Sequence, residues 1–144
     1  RRVLFRSIGG TMTASSCVFE SNTALVGGAI CSESATLIIN DTAFRWNSSS
    51  TMTDPLGGGA IYANVSNLTI DDCIFDRNTA QQDGGVAVIA GGSTATFTDC
   101  EMDSNTADWA GGAIYTNNSS FVTVERCFIR FNTAPYGGAF NNYN

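Results

Sequence analysis

Paired glycines recur through this chain at 27–28, 58–59, 84–85, 111–112 and 137–138, in steps of 31, 26, 27 and 26 residues. A repeat of this length is one structural unit that buries its apolar face only against its neighbours, so the period dictates a stacked architecture. A second landmark lies between the pairs. It reads Cys17-Val18-Phe19-Glu20-Ser21-Asn22-Thr23-Ala24 and recurs from Cys73, Cys100 and Cys127, with a degraded copy from Thr42.

Each repeat holds three short strand signals: one after the glycines (Ala60-Ile61-Tyr62), one before the Cys (Leu68-Thr69-Ile70) and one from the Cys onward (Cys73-Ile74-Phe75). No segment sustains a 3.6-residue apolar period, so crossover helices are not expected. Parallel strands without helices are joined by coiling the chain. Strand alternation assigns the faces. The columns Met12/Leu37/Leu68/Ala95/Val122, Ala14/Ile39/Ile70/Phe97/Val124, Phe19/Phe44/Phe75/Met102/Ile129 and Ile30/Ile61/Ala87/Ile114/Phe140 point inward. Thr13, Ile38, Thr69, Thr96 and Thr123 point outward, as do Cys31, Tyr62, Val88, Tyr115 and Asn141. The fold expected is all-β: a right-handed parallel β-helix of about five coils. Residues 8–144 form this single domain. Arg1–Ser7 match no repeat and read as a separate N-terminal arm or an assembly scar.

The column Asn22, Asn47, Asn78, Asn105, Asn132 falls where the chain turns after the third strand. It reads as a structural ladder of stacked amides whose Asn residues tolerate left-handed backbone angles. Cys73, Cys100 and Cys127 stack on successive coils as a thiol ladder, close enough for one vertical disulfide, with the reduced ladder favoured. Cys31, outward and odd, is a candidate for a bridge to another chain.

These landmarks resemble the repeats of the chlamydial polymorphic outer membrane proteins, which pair Gly-Gly-Ala-Ile with Phe-x-x-Asn. Gly-Gly-Ala-Ile stands at 27–30, 58–61 and 111–114, and Phe-x-x-Asn at Phe19–Asn22, Phe44–Asn47 and Phe75–Asn78. The resemblance implies a secreted β-helix acting in surface adhesion.

Six N-x-Ser/Thr sequons begin at Asn40, Asn47, Asn64, Asn67, Asn117 and Asn118, and imply a glycan coat on an extracellular or cell-surface protein. Asn47 is in conflict, because it is also a ladder residue. The net charge of −6 disfavours nucleic acid and anionic membranes as partners. No apolar run is long enough for membrane insertion by a helix. Without His and with Cys spacing unlike metal ligands, no metal or cofactor is expected. Asp71, Asp72, Asp99, Glu101, Asp103 and Glu125 line one corner and are the residues a carbohydrate lyase or hydrolase would use. A solvated acidic edge is the favoured reading, and the chain is expected not to be an enzyme. Tyr62 and Tyr115 are candidates for stacking sugars. The chain reads as starting at a second strand and stopping after a first, a phase in which copies would stack head-to-tail into a filament.

Overall fold

The structure, a computed structural model, describes residues 5–52 and 56–143. They form a parallel β-solenoid without helices. The coil from Ile61 shows the plan: strands Ile61–Asn64, Asn67–Asp71, Ile74–Asp76 and Thr79–Ala80 follow one another round the tube. Each stacks on its equivalents above and below. Leu68, for example, pairs with Leu37 on one side and Ala95 on the other. Three strands per coil were expected. The fourth is only two residues long (Thr23–Ala24, Ser48–Ser49, Thr79–Ala80, Thr106–Ala107), too short to show alternation.

The first sheet has six strands: Phe5–Ile8, Ile30–Glu33, Ile61–Asn64, Ala87–Ala90, Ile114–Asn117 and Phe140–Tyr143. Parallel strands sit ~4.8 Å apart, so the tube is on the order of 24 Å long. Phe5–Ser7, read from sequence as outside the repeats, belong to this sheet: Phe5 pairs with Ile30 and extends its inward column. The described chain therefore opens on a first strand, not a second. Residues 1–4 lie outside the described residues.

The four apolar columns fill the tube as alternation requires. Ile30, Leu37, Ile39, Phe44, Ile61, Ile70, Phe75 and Phe97 are fully buried. Phe19, Phe44 and Phe75 stack face to face at 4.8 and 4.9 Å, the coil spacing itself, and Phe97 meets Phe75 edge-on. Tight corners set the cross-section. A Cβ on Gly85 would lie 2.1 Å from the Gly112 carbonyl oxygen, so only glycine lets successive coils approach there.

A second apolar cluster lies outside the tube. The outward column of the first sheet is not solvated, because the segments leading into the glycine pairs fold across it. Cys31, Tyr62, Val88, Ala90, Ala110 and Tyr115 pack together there, with Val26 and Leu56 against them. Cys31 is 2% exposed, Tyr62 8% and Tyr115 9%. This burial overturns two expectations. Cys31 is not presented for a bridge to another chain, and Tyr62 and Tyr115 are not free faces for sugar.

Candidate functional site

The polar spine of the molecule is the Asn ladder. Asn22, Asn47, Asn78 and Asn105 each donate from Nδ2 to the Oδ1 of the next Asn, at 2.9–3.0 Å. Their backbone N–H groups donate to the same oxygen. The Nδ2 groups of Asn47, Asn78, Asn105 and Asn132 also reach back to the carbonyls of Phe19, Phe44, Phe75 and Met102. The inner amides are thus used on both sides, which is what a buried polar group requires. One detail differs from expectation. The left-handed residue is not the Asn but the one before it: Ser21, Trp46, Arg77, Ser104 and Phe131 have φ of 51–57°. The turn is made one position earlier, which leaves the Asn side chain directed along the axis.

The Cys column works at the next corner. Cys17, Cys73, Cys100 and Cys127 each donate from Sγ to the carbonyl two residues back, at 3.1–3.2 Å. Thr42 does the same with its hydroxyl, which explains how Thr replaces Cys in that coil. All five cysteines are free thiols. The neighbouring Cys73 thiol and burial hold Cys100 far above the usual thiol range. Burial, with Glu33 nearby, pushes Cys31 up to about 11. Neither is a reactive thiolate.

The acidic corner is largely ion-paired. Arg126 makes a two-pronged contact with Asp99 at 2.7 and 2.8 Å. Arg130 bridges Glu101 and Asp103. The Arg126 guanidinium holds Asp99 below its ordinary value, and Ser104 and then Arg130 do the same for Asp103. A general acid needs a raised pKa, and these carboxylates are shifted the other way. Asp71, Asp72 and Glu125 are exposed on the same edge. Among the described residues, no cluster of three or more His, Cys, Asp or Glu could hold a metal ion.

The sequons divide by exposure. Asn67 and Asn118 are exposed, while Asn40, Asn64 and Asn117 are half-buried. Asn47 is fully buried, with its amide nitrogen donating twice. A glycan there would break the ladder, so Asn47 leaves the sequon set.

An aromatic pocket was not visible from sequence. Trp109, Ala110, Tyr115, Tyr136, Asn141 and Tyr143 line an open recess of about 430 Å³ on the outer side of the first sheet. The Trp109 and Tyr136 rings meet at 5.1 Å with a 57° tilt. Both project from irregular segments before the glycine pairs, where no periodicity marks them.

A right-handed beta helix region model matches residues 5–143. The chain belongs to this β-helix family. A 74-residue segment of this β-helix, 51% of the chain, is 38% identical to part of a metabotropic glutamate receptor-like protein R of Dictyostelium discoideum. That segment covers 4% of the relative's length. No solved structure matches the chain significantly. In this β-helix no described helix is long and apolar enough to cross a membrane.

Proposed function

We propose that this β-helix is a non-catalytic structural and adhesive module of an extracellular or cell-surface protein, N-glycosylated, and either stacked end-to-end or part of a longer rod. The uninterrupted Asn ladder from Asn22 to Asn132 carries this reading, because it commits one side chain per coil to stiffness along the axis. The resemblance to chlamydial polymorphic outer membrane protein repeats fits an adhesive role, and the similarity to a segment of a receptor-like protein fits a surface setting. The lyase or hydrolase alternative is weakened by the Arg pairing of Asp99, Glu101 and Asp103.

End-to-end stacking has a specific geometric requirement. The strands at both ends, Phe5–Ile8 and Phe140–Tyr143, belong to the first sheet. Copies continuing the other sheets in register would bring these two strands to one place, so one must be displaced. Negative-stain electron microscopy of the native material is the test. Filaments with an axial repeat of one stack of coils support self-assembly. Dispersed single particles at every concentration sink the filament and leave the longer-rod form of the reading.

A further inference from the structure

Two positions before each glycine pair stand Leu25, Leu56, Gln82, Trp109 and Pro135, and one before stand Val26, Gly57, Asp83, Ala110 and Tyr136. In the lower coils, Val26 and Leu56 pack onto the outer face of the first sheet. Two coils beyond Leu56, at the matching place, the walls are aromatic. Trp109 is 57% exposed and Tyr136 54%. Tyr143 stands exposed beside them, and the partly buried Asn141 completes the wall. Trp109, one coil in from the last described strand, keeps its indole beside the Tyr136 ring at the mouth of the recess, and exposed aromatic walls of this kind mark ligand sites.

The chemistry of the walls narrows the occupant. None of the six lining residues is charged, so no ion pair anchors an ionic ligand there. The volume of about 430 Å³ lies in the small-molecule range. Tilted rings offer one flat face and one edge. The Asn141 amide and the phenol hydroxyls of Tyr136 and Tyr143 add donors and acceptors at the rim. A ring with an apolar C–H face and a hydroxylated edge matches both features, whereas a purely aliphatic ligand leaves the polar rim unused.

We infer that the recess between Trp109, Tyr136, Asn141 and Tyr143 binds a neutral pyranose residue of a glycan, stacked on Trp109. The site gives the proposed adhesive role a ligand class, and to that extent rests on it.

Trp46→Phe leaves Trp109 as the sole indole. Phe131 already occupies the equivalent position with φ of 56°, so the replacement is tolerated by the backbone. Fluorescence titration of this variant with neutral monosaccharides and their β- and α-linked oligomers reads the site directly. A saturable shift in Trp109 emission is expected. Trp109→Ala and Tyr136→Ala, followed on a glycan array, should each weaken binding at least tenfold, and Asn141→Ala severalfold. Circular dichroism checks that the fold is intact. No response to any neutral sugar by the folded protein overturns the inference. So does binding that survives Trp109→Ala, or binding confined to charged sugars. Rod-like or filamentous particles without sugar binding would sink this site while leaving the structural reading standing.

Discussion

Asn78 sits in the middle of the ladder, with its Nδ2 donating to the Phe44 carbonyl and to Asn105, and its Oδ1 accepting twice from Asn47. Asn78→Ala strands several buried polar groups at once. Leaving each unsatisfied costs about 1–3 kcal/mol, so a total loss on the order of 3–5 kcal/mol is expected in chemical denaturation. Asn22 is half-buried at the end of the ladder, where its side chain donates to Asn47 Oδ1, and Asn22→Ala should cost about 1 kcal/mol. Equal losses at the two positions would show that the ladder is not cooperative. Asp83 is the opposite kind of residue. Its carboxyl is buried and its Oδ1 lacks a hydrogen-bond partner among the described residues, so desolvation pushes its pKa from 3.8 up to about 6. An acid with a raised folded pKa favours folding below its unfolded value, and that contribution is lost as the pH rises through about 6. Asp83→Asn should therefore stabilise the protein at pH 7 by on the order of 2 kcal/mol. The difference between variant and parent should vanish near pH 3, as thermal melts across that range would show. The ladder was legible in sequence because it recurs at a fixed offset from Phe or its replacements. Asp83 was not, because a lone Asp in an irregular corner looks solvated until a neighbouring segment is seen to cover it.

At the scale of elements, the coil spacing is enforced by backbone packing at the corners as much as by the sheets. Gly28, Gly59, Gly85 and Gly112 stack in one column, and a Cβ on any of them would come within 2.0–2.3 Å of a carbonyl oxygen on the next coil. At Gly85 the obstacles are also the Thr106 amide and carbonyl, all backbone atoms held by pairing. Gly85→Ala must push two coils apart, and a loss of about 3 kcal/mol or more, or failure to fold, is expected. Gly92 has a φ of 75°, and a Cβ added to it would meet nothing within 4 Å, so Gly92→Ala should cost only about 1–2 kcal/mol of backbone strain. Urea denaturation of the two variants checks the contrast. Comparable losses would mean that steric approach is not what fixes the spacing. The three long strands of each coil were legible because alternation over three or more residues fixes a face. Alternation says which side a residue takes, not whether a second layer covers that side. That is why Tyr62, Tyr115 and Cys31 were placed outward correctly and yet solvated wrongly. Trp109 and Tyr136 were missed for the related reason that pocket walls built from corner segments have no period.

Across the whole molecule, the outer surface is divided by what each corner can carry. The corner between the first and second sheets bears Asn64, Asn67, Asn117 and Asn118, whereas the ladder corner encloses Asn47. A glycan needs its amide nitrogen free and facing solvent. Asn67 meets this condition: it is exposed, and its contact with Thr94 uses Oδ1 as acceptor, leaving Nδ2 for attachment. Asn118 is exposed in a left-handed turn next to its equally left-handed neighbour Ser119. Asn117 is half-buried, with its Oδ1 enclosed, and its sequon overlaps that of Asn118, so modification of the pair should fall on Asn118. Secretion from a glycosylating eukaryotic host, followed by enzymatic deglycosylation and peptide mass mapping, should find occupancy at Asn67 and Asn118 and none at Asn47. Unmodified peptides at both Asn67 and Asn118 would remove the glycan coat from the proposed function. Occupancy at Asn47 would mean that the acceptor is modified before the ladder closes, and protein so modified should melt well below the unmodified form, because its Asn47 amide can no longer donate to both Phe19 and Asn78.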